Sequence, residues 1–187
     1  CFGAVPVFGK METGDFCGYR NGVGGLVGNA QMTGFAGCYA SGTVIGKGCT
    51  VVTGVAENNA GITAYGADST GAGGFVGTSQ GGSFGNCFAS GNVRGTDSST
   101  GAFAGVLCWD SILGSRKTKM TDCYGAGTAS YGKTTGAFAG VAAVVKPARL
   151  PAALNLQNCY YLSHYQQEQT AATLGKPAPY EALGSVA

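Results

Sequence analysis

The sequence is short of charge and of long apolar runs, and each shortage excludes a class of protein. Charged residues make up only 11% of the 187 residues, against ~25% in an average soluble domain. The net charge is +2 and no lysine and arginine cluster stands out. We interpret residues 116–119, the nearest approach to one, as a solvated loop and expect no nucleic-acid partner. No apolar run approaches the ~20 residues of a membrane-spanning helix, so we expect no transmembrane segment.

Catalytic motifs are also absent. His164 is the only histidine, which excludes the His-Glu-x-x-His motif of zinc proteases, and no nucleophile-elbow pattern accompanies it. The nine acidic residues are scattered, and the glycine-rich stretches lack the Lys-Ser/Thr of a phosphate-binding loop. We therefore expect a protein that is not an enzyme, with no catalytic residue and no cofactor.

Glycine and cysteine are abundant. The 35 glycines come with only five prolines and no Gly-X-Y period, which excludes collagen. The cysteines lack the CxxC pairs of zinc sites, so we expect disulfides and no metal. The disulfide candidates are Cys1, Cys17, Cys38, Cys49, Cys87, Cys108, Cys123 and Cys159.

Disulfides imply an oxidising compartment. Together with a start at Cys1 and not at Met, they predict a secreted protein, located outside the cell or on its surface, whose leader has been removed or is not included in this sequence. The pairs closest in sequence, Cys38 with Cys49, Cys108 with Cys123 and Cys1 with Cys17, are the easiest to close. Connectivity stays open among the 105 possible pairings, and a lipid anchor on Cys1 is an alternative to its disulfide.

Four similar blocks recur along the chain, at residues 25–28, 74–77, 102–105 and 137–140. Each is followed by a cysteine and an aromatic residue, and Cys87, Cys123 and Cys159 follow one another at intervals of 36 residues. Short apolar alternation between glycines predicts β-strands and not helices. A repeat of this kind buries its apolar face only against its neighbours.

The fold class that these features predict is all-β. We expect a β-solenoid or β-helix-like repeat stack of short strands with glycine corners, stabilised by disulfides. The cysteine, aromatic and Phe/Leu positions should then form inward ladders. One repeat domain would span residues 1–187, with an N-terminal strand or cap at 1–21, four repeats at 22–163 and a C-terminal cap or tail at 164–187.

Two segments carry a family resemblance most clearly. Residues 24–28 with 37–44, and residues 73–77 with 86–93, resemble the GLUG repeat of bacterial cell-surface proteins, and residues 158–162 are similar to the terminal unit of such arrays. The resemblance covers roughly residues 22–163. It implies a β-solenoid-like stack of the kind found in adhesins and other secreted surface proteins.

The function that we expect is structural. The chain would be a non-enzymatic extracellular subunit of a self-assembling surface fibre or adhesive layer, associating through the ends of the solenoid. The alternative is a ligand-binding adhesin module that recognises a host glycan or protein through inserted loops, with Trp109 and Asp110 as the contact loop. We interpret the repeated aromatic residues as packing and not as a sugar-binding stripe.

The N-terminal segment is the candidate for subunit contact. Its apolar residues Phe2, Val5, Val7 and Phe8 could add as a strand to a neighbouring subunit. Alternatively, the segment folds back and caps the first repeat of its own chain.

Overall fold

The structure is a computed structural model, and it describes residues 1–10, 22–47, 71–96, 98–107, 118–132, 134–141, 154–162, 172–173 and 183–186. Every regular element in these ranges is a β-strand, which confirms the all-β class. The same ranges contain no helix that is long and apolar enough to cross a membrane.

Most of the strands are two to four residues long, as expected from the closely spaced glycines, and two are ten residues long. The strands of the first part of the chain are β1 (Phe2–Gly3), β2 (Val7–Lys10), β3 (Gly22–Gly24), β4 (Val27–Ala36), β5 (Tyr39–Ala40), β6 (Val44–Lys47), β7 (Gly71–Gly73), β8 (Val76–Gly85), β9 (Phe88–Ala89) and β10 (Val93–Thr96). The remaining strands are β11 (Ser99–Gly101), β12 (Ala104–Val106), β13 (Thr118–Thr121), β14 (Tyr124–Gly125), β15 (Ala129–Ser130), β16 (Thr134–Gly136), β17 (Ala139–Val141), β18 (Leu154–Gln157), β19 (Cys159–Leu162), β20 (Ala172–Thr173) and β21 (Leu183–Val186).

These strands form four parallel sheets. Three of them have the orders β1-β5-β9-β14-β19-β21, β2-β6-β10-β15 and β3-β7-β11-β16. The fourth has the order β18-β13-β8-β12-β17-β20, with β4 also paired to β8. Equivalent strands of successive repeats are hydrogen-bonded neighbours, so each turn of the chain stacks on the one before it. This is the arrangement of a β-solenoid.

We call each turn a rung. Rung 1 is the partial turn of residues 1–10, rung 2 is residues 22–47, and rung 3 is residues 71–96. The later rungs contain the described parts of residues 98–132, 134–162 and 172–186. Residues of adjacent rungs are in register, as in the pairs Val44 with Val93 and Val93 with Ala129.

The N-terminal segment stacks on its own chain. Strand β1 pairs with β5, and β2 pairs with β6, with Phe2 opposite Tyr39 and Val7 opposite Val44. The amide of Tyr39 donates a hydrogen bond to the carbonyl of Cys1 at 2.9 Å. Of the two alternatives for this segment, the structure therefore has the one in which it caps the first repeat.

The core contains the predicted phenylalanine column. Phe75, Phe103 and Phe138 are fully buried, and the ring of Phe103 stacks between the other two at 4.9 and 5.0 Å. Leu26 packs against the same cluster at the rung 2 end. A smaller cluster of Val23, Val44, Ala72 and Val93, with Val7 packed against it, fills another part of the interior.

One corner of the solenoid requires glycine. Gly42, Gly91 and Gly127 occupy equivalent positions in successive rungs. A Cβ atom at Gly91 would meet the carbonyl oxygen of Gly42, and one at Gly127 would meet that of Gly91. The backbones of neighbouring rungs approach so closely here that no side chain fits between them.

Replacing Phe103 with Ala should lower the free energy of unfolding by roughly 3–5 kcal/mol, because it opens a cavity in the middle of a stacked column. Urea denaturation of the variant and of the unchanged protein measures this. Phe8→Ala is the control, since Phe8 is 73% exposed. A loss below about 1 kcal/mol for Phe103→Ala would contradict the inward position of the column.

Replacing Gly91 with Ala should lower the free energy of unfolding by about 1–3 kcal/mol or more, because the new methyl group overlaps the backbone of rung 2. Gly85→Ala is a matched control, since a Cβ atom at Gly85 has nothing within 4 Å. Equal denaturation midpoints for the two variants would show that the rungs are not this close.

Candidate functional site

The sheet that begins with β1 carries a column of buried thiols. Cys38, Cys87, Cys123 and Cys159, which we call the thiol column, occupy equivalent positions in rungs 2 to 5, because the residues that follow them are paired in register. The side chain of Cys38 is 5% exposed, and the other three are at most 1% exposed. The predicted inward ladder of cysteines is therefore present.

Each thiol of the column has a backbone acceptor. The four Sγ atoms donate hydrogen bonds to the carbonyl oxygens two residues earlier: Cys38 to Ala36 at 3.3 Å, Cys87 to Gly85 at 3.3 Å, Cys123 to Thr121 at 3.4 Å and Cys159 to Gln157 at 3.6 Å. A second acceptor, the carbonyl of Phe84, lies 3.5 Å from the Sγ of Cys123. The buried thiols are thus satisfied in their neutral form.

The thiols also interact with one another. Hydrogen bonds with the thiols of Cys159 and Cys87 raise the pKa of Cys123, and burial adds to this effect. The hydrogen bond from Cys123 lowers the pKa of Cys87 to about 6, against the opposing effect of burial, and it lowers the pKa of Cys159 as well. Cys123 therefore holds its proton more strongly than either neighbour.

The predicted disulfides are not shown. Cys1 is an exposed free thiol, the four thiols of the column are free and buried, and no bond joins any two of these five. Each predicted pair contains Cys17, Cys49 or Cys108, all three of which lie outside the described residues.

The aromatic residue after each cysteine faces outward, so the prediction that it forms an inward ladder was wrong. Tyr39 is 41% exposed and Tyr160 is 38% exposed. Successive side chains of a strand point to opposite faces, so an inward cysteine places its neighbour outside. The rings of Phe88 and Tyr124 stack at 5.4 Å, and stacked faces are not available to a sugar ring. This geometry favours the packing interpretation.

The sequence analysis did not identify the backbone corner at the residue before each cysteine. Asn86, Asp122 and Asn158 have φ angles of 51°, 52° and 52°, and the equivalent Gly37 has a φ of 59°. Asparagine, aspartate and glycine tolerate this left-handed conformation better than other residues do. The Nδ2 of Asn158 also donates a hydrogen bond to the Oδ1 of Asp122 at 2.9 Å. The signal was visible as Gly, Asn or Asp directly before the cysteine of every repeat.

The predicted contact residues differ in their exposure to solvent. Phe2, Val5 and Phe8 are exposed by 59%, 68% and 73%, whereas Val7 is partly buried and packs against the smaller core cluster. Trp109 and Asp110, the candidate contact loop, lie outside the described residues.

Within the described ranges, no group of three or more His, Cys, Asp or Glu side chains is arranged to surround a metal ion. The four thiols of the column follow the axis of the stack and do not converge on one point. A tetrahedral zinc site would need such convergence.

Parallel sheets, in-register rungs and buried columns define the described chain as a repeat protein of the β-solenoid type. Residues 68–94 match the family model of the GLUG motif. The chain therefore carries a GLUG motif, as the sequence predicted, and the matched segment includes most of rung 3. No curated protein and no solved structure matches the chain significantly.

Alkylation should distinguish the column from Cys1. In the reduced, folded protein, iodoacetamide should modify Cys1 readily, whereas Cys87 and Cys123 should react only after unfolding, because reagent cannot reach a thiol that is at most 1% exposed. Peptide mass mapping of native and urea-treated samples measures this for each cysteine. Equal native rates at Cys1 and Cys123 would place the column at the surface.

Proposed function

We propose that the chain is a non-enzymatic structural protein, an extracellular subunit that associates end to end into a surface fibre or adhesive layer. The observation that carries this proposal is the N-terminal rung. Strands β1 and β2 each have one hydrogen-bonded neighbour in the described structure, β5 and β6. An open strand edge of this kind is a template for pairing with another chain.

Exposed apolar side chains accompany this edge. Phe2, Val5 and Phe8 of rung 1, with Ile45 of rung 2, form what we call the N-terminal apolar patch; Ile45 is 38% exposed. Along one outward column, Phe8 and Ile45 are followed by Arg94 and Ser130 in the next rungs. This outward column thus changes from apolar to polar with distance from rung 1. An apolar patch at one end of a stack favours a contact at that end.

A second copy of the chain is the partner that suits this end. The strand pairs of the described sheets are parallel, and each pair joins strands of successive rungs. Another copy that continues the same sheets would stack head to tail, and a head-to-tail contact repeats without closing unless rotation makes a ring. A fibre is the assembly that follows.

Location outside the cell and disulfide bonds belong to the same proposal, on the support of the eight cysteines. A bond between Cys1 and Cys17 leaves the thiol column complete. Bonds between Cys38 and Cys49, or between Cys108 and Cys123, would each take one thiol from it. Mass mapping without reductant decides between these pairs, and eight free thiols would count against both the disulfides and the extracellular location.

Replacing Phe8 with Asp should prevent association while the fold stays intact, because it places a charge in the apolar patch. The control is Tyr131→Asp, at a site that is 71% exposed and lies in rung 4. Light scattering over a range of protein concentrations and negative-stain electron microscopy measure assembly, and circular dichroism measures the fold.

Fibres of the unchanged protein that disappear only in Phe8→Asp support the proposal. Dispersed single rods of the unchanged protein would contradict it and would favour the ligand-binding alternative. Fibres that persist in Phe8→Asp would show that the N-terminal end is not the contact.

A further inference from the structure

We propose that the outward face of the sheet formed by β2, β6, β10 and β15, which we call the basic face, binds an acidic polysaccharide. The alternation of the strands defines this face. Val44 and Val93 are buried, so the residues one and three positions after each of them point outward. The cations among these residues are Lys47 in β6 and Arg94 in β10, and both side chains are exposed.

The register places cationic residues in three successive rungs of this sheet. Lys10 of rung 1 stands opposite Lys47 of rung 2. Arg94 of rung 3 stands opposite Ile45, two residues before Lys47 in the same strand. Like charges directly opposite one another on neighbouring strands repel. An anionic chain that lies along the face would relieve this repulsion and contact more than one rung.

The described part of the chain supplies no anion to this face. Among the described residues, only Asp122 has a carboxylate side chain, and it lies in the corner before the thiol column. There its Oδ1 accepts a hydrogen bond from the Nδ2 of Asn158 at 2.9 Å. Glu12 and Asp97, the acidic residues nearest to the face in sequence, lie outside the described residues. The positive charge described here is therefore open to an anion from outside the chain.

A tyrosine ring positions the guanidinium group of Arg94. The Cζ of Arg94 lies 4.4 Å from the ring centroid of Tyr131, a cation–π distance. Tyr131 has a φ of 60°, and such strain in a bulky residue is often kept at binding sites. A guanidinium group that stacks on a ring keeps the N–H groups of its edge for a planar anion. Carboxylates accept two parallel hydrogen bonds from such an edge.

A polymer of uronic acids suits this arrangement. It carries one carboxylate per sugar along an extended chain, so several carboxylates can contact successive rungs at once. A small anion would meet one exposed cation at a time, and such pairs are weak, whereas linked groups gain from effective concentration. Single-stranded nucleic acid gains affinity from bases that stack on aromatic rings, and the guanidinium of Arg94 already lies on the ring of Tyr131.

The contact involves one chain only and does not require end-to-end assembly, so either proposal can fail without the other. The test uses the full chain and a fluorescent oligogalacturonate, with its methyl ester as the uncharged control ligand. Fluorescence anisotropy measures the affinity at about 20 and about 200 mM salt, across which screening increases. Lys47→Gln and Arg94→Gln each remove one charge from the basic face. Lys119→Gln removes one from an exposed position in β13 and is the matched control. Circular dichroism checks the fold of each variant.

We expect the acidic oligosaccharide to bind, the methyl ester not to bind, and the affinity to fall as salt is added. Lys47→Gln and Arg94→Gln should each weaken binding by about fivefold, and Lys119→Gln should leave it unchanged. Absence of binding at the lower salt concentration would overturn the proposal. Equal losses in all three variants, equal binding of the ester, or equal binding of single-stranded DNA of the same charge would overturn it too. Either variant of the basic face decides the test if the other does not fold.

Discussion

Hydrogen bonds between the backbones of successive rungs are the interaction on which the rest of this structure depends. The amide of Phe75 donates to the carbonyl of Phe103 at 2.8 Å, and the amide of Phe103 donates to that of Phe138 at 2.9 Å. Such bonds hold the rungs in register, so each side chain lies beside its own equivalent in the next repeat. The glycine corner at Gly91 is part of the same constraint, because a side chain there would separate the rungs.

In-register stacking also gives a physical reason for the low charge. A charged residue that recurs at one position places like charges about 4.8 Å apart, and each such pair costs about 1 kcal/mol even in water. The register sets Lys10 opposite Lys47, but the next residue along that line is Thr96. The 11% of charged residues therefore follows in part from the fold itself.

The repeat made much of the fold predictable, because equivalent positions in a stack must lie together. The Phe103 column and the line of buried cysteines followed from that rule alone. Equivalence between repeats does not show whether a position faces the interior or the solvent. The prediction that the aromatic residues after the cysteines face inward was wrong for this reason. Successive side chains of a strand point to opposite faces, so an inward Cys38 predicts an outward Tyr39. Trp109 has no equivalent in other repeats, so periodicity says nothing about its surroundings.

The thiol column and the phenylalanine column differ in the size of the side chain that fills each position. The phenylalanine positions need large apolar side chains to fill the interior, and cysteine is small. Sulfur in four successive rungs is not a requirement of hydrogen bonding between rungs, because those bonds join backbone groups. Each of these small, buried thiols donates to the carbonyl oxygen two residues earlier, so the column is satisfied in its neutral form without a partner from outside the rung.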